Sequence, residues 1–146
     1  MTRTIALVLA LVAGGMVALQ PAVNSQLARS TSVLAAAFIS FAIGALALGV
    51  ALLLSGGIGQ VSAVASVPVG YLTGGLLGVI LVTASLVAVR ELGAGGVVAA
   101  TVSTQLIVSA LLDRAGVLGL DRVALTPIRV GGFVLLLTGT LMVTLR

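Results

Sequence analysis

The chain is organised around the stretch GGMVALQPAVN, residues 14–24, where two carboxamides interrupt the end of an apolar segment. Gln20 and Asn24 are four residues apart, so a helix places them on one side, and Pro21 between them removes a backbone donor and bends the axis. Because an unpaired amide is costly in lipid, the pair is expected to face other helices or a wet cavity. The alternative is that both amides only cap the end of the first helix near the headgroups.

Composition decides the class of protein. Hydrophobic residues make up 60% of the 146 residues and charged residues 7%, and the mean hydropathy is +1.38. A globule of this size needs a largely polar outside, which these residues do not provide. The sequence therefore predicts an all-α, multi-pass integral membrane protein.

Several classes of function are excluded by residue types. The chain has no cysteine and no histidine, which rules out disulfides, Cys/His metal sites and catalysis by His or Cys nucleophiles. All seven basic residues are arginines, and they form no clustered basic patch for nucleic acid. We therefore predict no enzymatic activity, no catalytic residue, no metal site and no cofactor.

Apolar runs separated by turn signals predict five membrane helices in one domain, residues 1–146. They fall at roughly 4–24, 33–54, 68–89, 93–112 and 127–145, each near the ~20 residues that a bilayer crossing needs. Turns are predicted at residues 25–32 and 55–66, and a tight hairpin at Arg90-Glu91. Thr126 and Pro127 read as an N-cap and a first helical residue.

Small residues recur at spacings that let membrane helices pack closely. The residues predicted to pack in this way are Gly14 in the first helix, Ser40 and Gly44 in the second, and Gly70, Gly74 and Gly78 at the third.

The fourth predicted helix carries the densest polar content. Thr101, Gln105 and Ser109 are spaced i, i+4 and i+8 and share one face, with Thr104 beside it. Serine and threonine hydroxyls can bond to the preceding turn of their own helix, whereas a glutamine amide cannot be satisfied in that way. Gln105, near the bilayer middle, is therefore either a solute ligand or an interhelical hydrogen-bonding group.

The complete set of predicted solute-binding residues combines this face with the two amides of the first helix: Gln20, Asn24, Thr101, Thr104, Gln105 and Ser109. Arg129 lies in the first turn of the fifth helix. There the sequence favours an anchoring role at the interface, or pairing with Asp113 or Asp121, over a ligand role.

An ordered set of short motifs resembles the YdcZ-type branch of the drug/metabolite transporter superfamily. The motifs are LQPAVNSQL at 19–27, SFAIG at 40–44, GGLLG at 74–78, RELG at 90–93 and TQLIVS at 104–109, followed by Asp113, Gly116, Gly119, Arg129 and Gly131-Gly132. The resemblance covers nearly the whole chain. It implies a ten-helix assembly of two antiparallel five-helix units, and it implies no particular substrate.

One difference from related transporters bears on mechanism. The small multidrug resistance transporters of the same superfamily keep a carboxylate within their first helix, whereas residues 5–19 here contain no acid. Exchange of lipophilic cations for protons at a midplane carboxylate is therefore not expected. The sequence favours a secondary transporter or facilitator of a small neutral, zwitterionic or anionic solute.

The arginines predict dual topology. With five crossings, one side holds Arg3, Arg114, Arg122 and Arg129, and the other holds Arg29, Arg90 and Arg146. This difference is too small to set one orientation, so we expect an inverted homodimer, with the chain itself as partner alongside lipid and an unidentified solute. The alternatives are a passive channel formed by an inverted dimer, a non-transporting accessory membrane protein, or a single orientation with a parallel dimer or a separate partner chain.

Overall fold

The structure is a computed structural model that describes residues 2–117 and 122–145. Every regular element in these ranges is helical. The elements are α1 (Arg3–Ser30), α2 (Val33–Leu54), two 3-10 helices (Ile58–Ser66 and Val69–Thr73), α3 (Gly74–Ala115) and α4 (Pro127–Thr144). Within the described residues, four apolar stretches are long enough to cross a membrane, and the longest is Val69–Ala115 with 47 residues. The predicted all-α membrane fold is confirmed.

The third and fourth predicted helices both fall within α3, which has a break at Gly93. That residue has φ 69° and ψ 169°, a conformation essentially restricted to glycine. An unbroken helix of 42 residues would be about 63 Å long, twice the ~30 Å of the hydrocarbon core. The break divides α3 into a first half, residues 74–92, and a second half, residues 94–115, about 28 and 33 Å long.

Three predicted boundaries are wrong. Residues 25–30 continue α1, so the turn expected at 25–32 is limited to Thr31 and Ser32. Arg90 and Glu91 are helical, and the interruption lies two residues later at Gly93. The third α-helix begins at Gly74 rather than near residue 68, because residues 69–73 form a 3-10 helix.

The predicted start of the fifth helix agrees with the structure. Thr126 caps α4, its Oγ1 accepting a hydrogen bond from the Arg129 backbone N–H at 3.3 Å, and Pro127 occupies the first turn. Gly116, with φ 63°, ends α3 and donates its backbone N–H to the Leu112 carbonyl at 2.9 Å. Gly119, Asp121 and Arg146 lie outside the described residues.

The chain forms two compact units, Met1–Arg90 and Glu91–Arg146. In the first unit, small and branched side chains of α1, α2 and the first half of α3 pack into one core: Ala28, Ala36, Ala37, Val82 and Leu86. Alanines at this core let the helix backbones approach closely.

In the second unit, the second half of α3 packs against α4. Ser103 and Thr140 are hydrogen-bonded through their hydroxyls, and Thr140 Oγ1 also donates to the Ala99 carbonyl at 3.2 Å. A Cβ added at Gly96 would lie 3.6 Å from the Thr144 methyl. Lower-numbered residues of α3 thus lie against higher-numbered residues of α4, so these two helices are antiparallel.

Candidate functional site

The second half of α3 presents the predicted polar face. Thr101 is half-buried, whereas Gln105 and Ser109 are exposed. Thr101 Oγ1 donates to the Val97 carbonyl at 2.8 Å, one turn earlier. Its hydroxyl is therefore satisfied within its own helix, while the Gln105 amide points out of the folded chain.

Thr104 stands beside this face and is also exposed. Its Oγ1 donates to the Ala100 carbonyl at 3.0 Å, so it too forms a hydrogen bond within the helix. Among the four predicted polar residues of α3, Gln105 is the one whose side chain most needs a partner beyond its own helix, because a glutamine amide carries two donors and an acceptor.

The two amides of α1 occupy different environments although they are one turn apart. Gln20 is exposed, whereas Asn24 is only 6% exposed. Asn24 Nδ2 donates to Ser40 Oγ on α2 at 3.1 Å. The structure thus brings a predicted solute-binding residue together with a predicted packing residue, in a bond that joins two helices.

Sequence reasoning missed the corresponding polar contact of the second unit. Ser103 is 1% exposed, and its hydroxyl donates to the Ala99 carbonyl at 2.7 Å and accepts the hydrogen bond from Thr140. Thr140 and Thr144 are four residues apart and share one face of α4, and this pair of hydroxyls is the sequence signal for the contact.

The model of the family described as "Putative inner membrane exporter, YdcZ" matches residues 5–142. The chain belongs to the YdcZ family. No protein with a curated description and no solved structure matches it.

Membership in the YdcZ family, together with the apolar helices, places the chain in the inner membrane as a multi-pass protein. It also supports a transporter-type function rather than an enzymatic one. In the part of this YdcZ chain that the structure describes, no group of three acidic side chains is placed to hold a metal ion.

The small residues predicted to pack differ in their surroundings within this YdcZ chain. A Cβ added at Gly78 would lie 3.3 Å from Phe41 Cζ, so the glycine makes room for that ring. At the other four glycines of the set an added Cβ would meet nothing within 4 Å: Gly14, Gly44, Gly70 and Gly74. Their faces are open within the single chain.

The second unit also contains a cleft of about 420 Å³ between α3 and α4. Its lining consists of four residues from each helix: Leu106, Ser109, Ala110 and Asp113 on α3, and Arg129, Gly132, Phe133 and Leu136 on α4. Of the predicted site residues, Ser109 contributes to it. Asp113 and Arg129, which carry opposite charges, both line this cleft. Asp121, the other predicted partner of Arg129, is outside the described residues.

Proposed function

We propose that the protein is a secondary transporter or facilitator of the drug/metabolite transporter type, which exports a small solute across the inner membrane. The observation that carries this proposal is the match of an inner-membrane exporter family to residues 5–142, nearly the whole chain. The helices of the described residues supply the apolar spans that such an exporter needs.

The solute pathway is proposed to run along the polar face of α3. The exposed Gln105 amide supports this assignment, because an amide facing lipid would be costly and an amide facing a polar pathway would not. Thr101, Thr104 and Ser109 add hydroxyls to the same side, and Gln20 adds an exposed amide on α1. Asn24 already donates to Ser40, so it would bind solute only through its remaining donor and acceptor positions.

No carboxylate lies in the first apolar run, residues 5–19. The proposed solute is therefore neutral, zwitterionic or anionic, and its movement does not use a midplane acid that binds protons and cations in turn. Amides and hydroxyls bind such solutes by hydrogen bonds whose strength does not depend on a protonation step near neutral pH.

Solute release from cells tests this role. We would compare the small molecules that appear in the medium of cells expressing the wild-type chain, the Gln105→Leu variant or no chain. The matched control is Gln26→Leu, which makes the same change at an exposed position of α1. We expect at least one solute whose release requires the chain, falls with Gln105→Leu and is unchanged with Gln26→Leu.

The transport proposal is refuted if no solute is released in a different amount by cells that express the chain and cells that lack it. If release is retained in Gln105→Leu while the variant loses thermal stability, Gln105 is a packing group and the pathway lies elsewhere. In proteoliposomes, a saturable rate for the released solute would support a carrier, and ionic conductance would support the channel alternative.

The working assembly is proposed to be an antiparallel homodimer inserted in both orientations. The near balance of arginines on the two sides supports dual insertion. The open faces at Gly14, Gly44, Gly70 and Gly74 offer close-packing surfaces for a second copy. In such a dimer the two copies of Gln105 would be related by an axis in the membrane plane, as alternating access requires.

Topology is tested with single cysteines, since the natural chain has none. Ser30→Cys and Ser55→Cys lie in or next to links at the two predicted sides and leave the arginine count unchanged. We expect each to react with a membrane-impermeant thiol reagent from both faces of the membrane. Labelling of each from one face alone would refute dual topology. As a control, Ser55→Arg adds a charge to one side and is expected to shift the molecules toward a single orientation.

A further inference from the structure

The cleft between α3 and α4 has the size and lining of a ligand site. Its volume of about 420 Å³ lies within the ~300–1,000 Å³ typical of small-molecule pockets. On each helix the lining residues are spaced i, i+3, i+4 and i+7, so one continuous face of each helix forms a wall. Ala110 and Gly132, one on each wall, leave room between the helices because their side chains are small or absent.

The two ends of the cleft differ in polarity. Asp113 lies in the last turn of α3, which ends at Ala115, and Arg129 lies in the first turn of α4, which begins at Pro127. Because the helices are antiparallel, both charges are at one end. Leu106 and Leu136, two turns away on their helices, form the other end. The cleft is therefore amphipathic along its length.

The two charges of the polar end are opposite, and they line the same cleft. A ligand with a single charge would satisfy one of them and be repelled by the other. A ligand carrying both an amine and an anionic group can satisfy both, which lowers the cost of removing these side chains from water. The Ser109 hydroxyl, on the same wall, adds a further hydrogen-bonding group.

We propose that this cleft binds an amphiphilic zwitterion, with its amine at Asp113, its phosphate or carboxylate at Arg129, and its apolar part along Leu106, Phe133 and Leu136. The charged end lies at helix termini, where a membrane helix meets the interface, so the ligand's polar group would be at headgroup depth. Such chemistry is shared by a zwitterionic phospholipid and by an amphiphilic zwitterionic solute.

This proposal deepens the transport function proposed above by naming a substrate class, and as a statement about transport it rests on that function. Binding is nevertheless measurable without transport. Binding of the zwitterion without any chain-dependent efflux would support the cleft as a binding site and refute the proposed export function. Efflux that depends on Gln105, without binding of the zwitterion, would support the export function and refute the cleft as a binding site.

The experiment measures binding to the purified full-length protein in a non-ionic detergent. The main probe is lysophosphatidylethanolamine, which carries an amine, a phosphate and one acyl chain. Lysophosphatidylglycerol keeps the phosphate and chain but lacks the amine, and a long-chain alkylamine lacks the anion. We expect the zwitterion to bind tighter than either singly charged probe, by about tenfold or more.

Substitutions then assign the two charges. Asp113→Asn should weaken binding of the zwitterion by roughly 10- to 100-fold, because the amine contact is lost. The affinity for lysophosphatidylglycerol, which has no amine, should be unchanged or higher. Arg129→Gln should weaken binding of both phosphate-bearing probes. The matched control is Arg114→Gln, which removes an exposed charge next to Asp113 that does not line the cleft; it should leave all three affinities within about twofold.

The proposal is overturned if Asp113→Asn and Arg129→Gln bind the zwitterion as the wild type does, or if Arg114→Gln weakens it equally. Far-UV circular dichroism of each variant shows whether the helices are retained. If a variant does not fold, Ser109→Ala and Phe133→Ala, which alter the same cleft without changing charge, take its place. Each of them should weaken binding of the zwitterion by about 2- to 10-fold. A water-soluble butyl ester of phosphoethanolamine distinguishes the sources: binding of this probe indicates a solute, and binding of the long-chain probe alone indicates a lipid.

Discussion

Replacing Gly93 with alanine tests the feature that divides α3 into two membrane-length helices. Gly93 has φ 69° and ψ 169°, where the Cβ of any other residue collides with the backbone. An alanine there can keep the break and accept the strain, or relax into a helix. Relaxation would join the two halves into a helix about 63 Å long, which exceeds the ~30 Å hydrocarbon core. In a membrane the strained conformation is therefore the one retained.

The size of the effect follows from two contributions. A residue held in this region of φ and ψ costs about 1–3 kcal/mol. The control is Gly95→Ala, two residues later, where the backbone is helical and an added Cβ meets nothing within 4 Å. There alanine should stabilise the helix by up to about 1 kcal/mol. We therefore expect Gly93→Ala to unfold with a free energy about 1–4 kcal/mol lower than Gly95→Ala.

The measurement is reversible unfolding by titration with sodium dodecyl sulfate in mixed micelles, followed by far-UV circular dichroism. Both variants are compared with the wild type at one temperature and one lipid-to-detergent ratio. Free energies of unfolding that agree to within about 0.5 kcal/mol for the two variants, smaller than any strain of this kind, would show that Gly93 is not held in a glycine-only conformation. The division of α3 at this residue would then be wrong.

Two further contacts give predictions by the same unfolding assay. Gly78→Ala places a Cβ 3.3 Å from Phe41 Cζ, so it should be less stable by about 1 kcal/mol than the control Gly139→Ala, whose added Cβ meets nothing within 4 Å; equal stabilities would show that the ring moves aside freely. Ser40→Ala removes the acceptor of the 3.1 Å bond from Asn24 and should cost about 0.6–1.7 kcal/mol, with most of that loss absent when Asn24 is already alanine; additive losses in the double variant would mean that the bond contributes nothing.

The helix ends show which turn and capping residues predict a helix boundary in a membrane protein and which do not. Thr126-Pro127 was predicted correctly because a capping hydroxyl and a proline act on the backbone within one turn. The prediction of a turn at residues 25–30 is wrong, because their serines and Arg29 indicate where the chain leaves the hydrocarbon core and not where the helix ends. At 28 residues α1 is about 42 Å long, so its polar end extends beyond the hydrocarbon core while remaining helical.

The membrane class, the helical fold and the kinship with inner-membrane exporters can all be predicted from the sequence, because hydropathy and local backbone chemistry act within one segment at a time. Which polar side chains form contacts inside the chain depends instead on how the helices pack. Gln20 and Asn24 share a helix face by spacing, yet Asn24 is buried against Ser40 and Gln20 is exposed. Likewise Asp113 and Arg129, sixteen residues apart, line one cleft because α3 and α4 are antiparallel. Such pairings depend on how helices pack against each other, and no periodicity along a single helix contains that information.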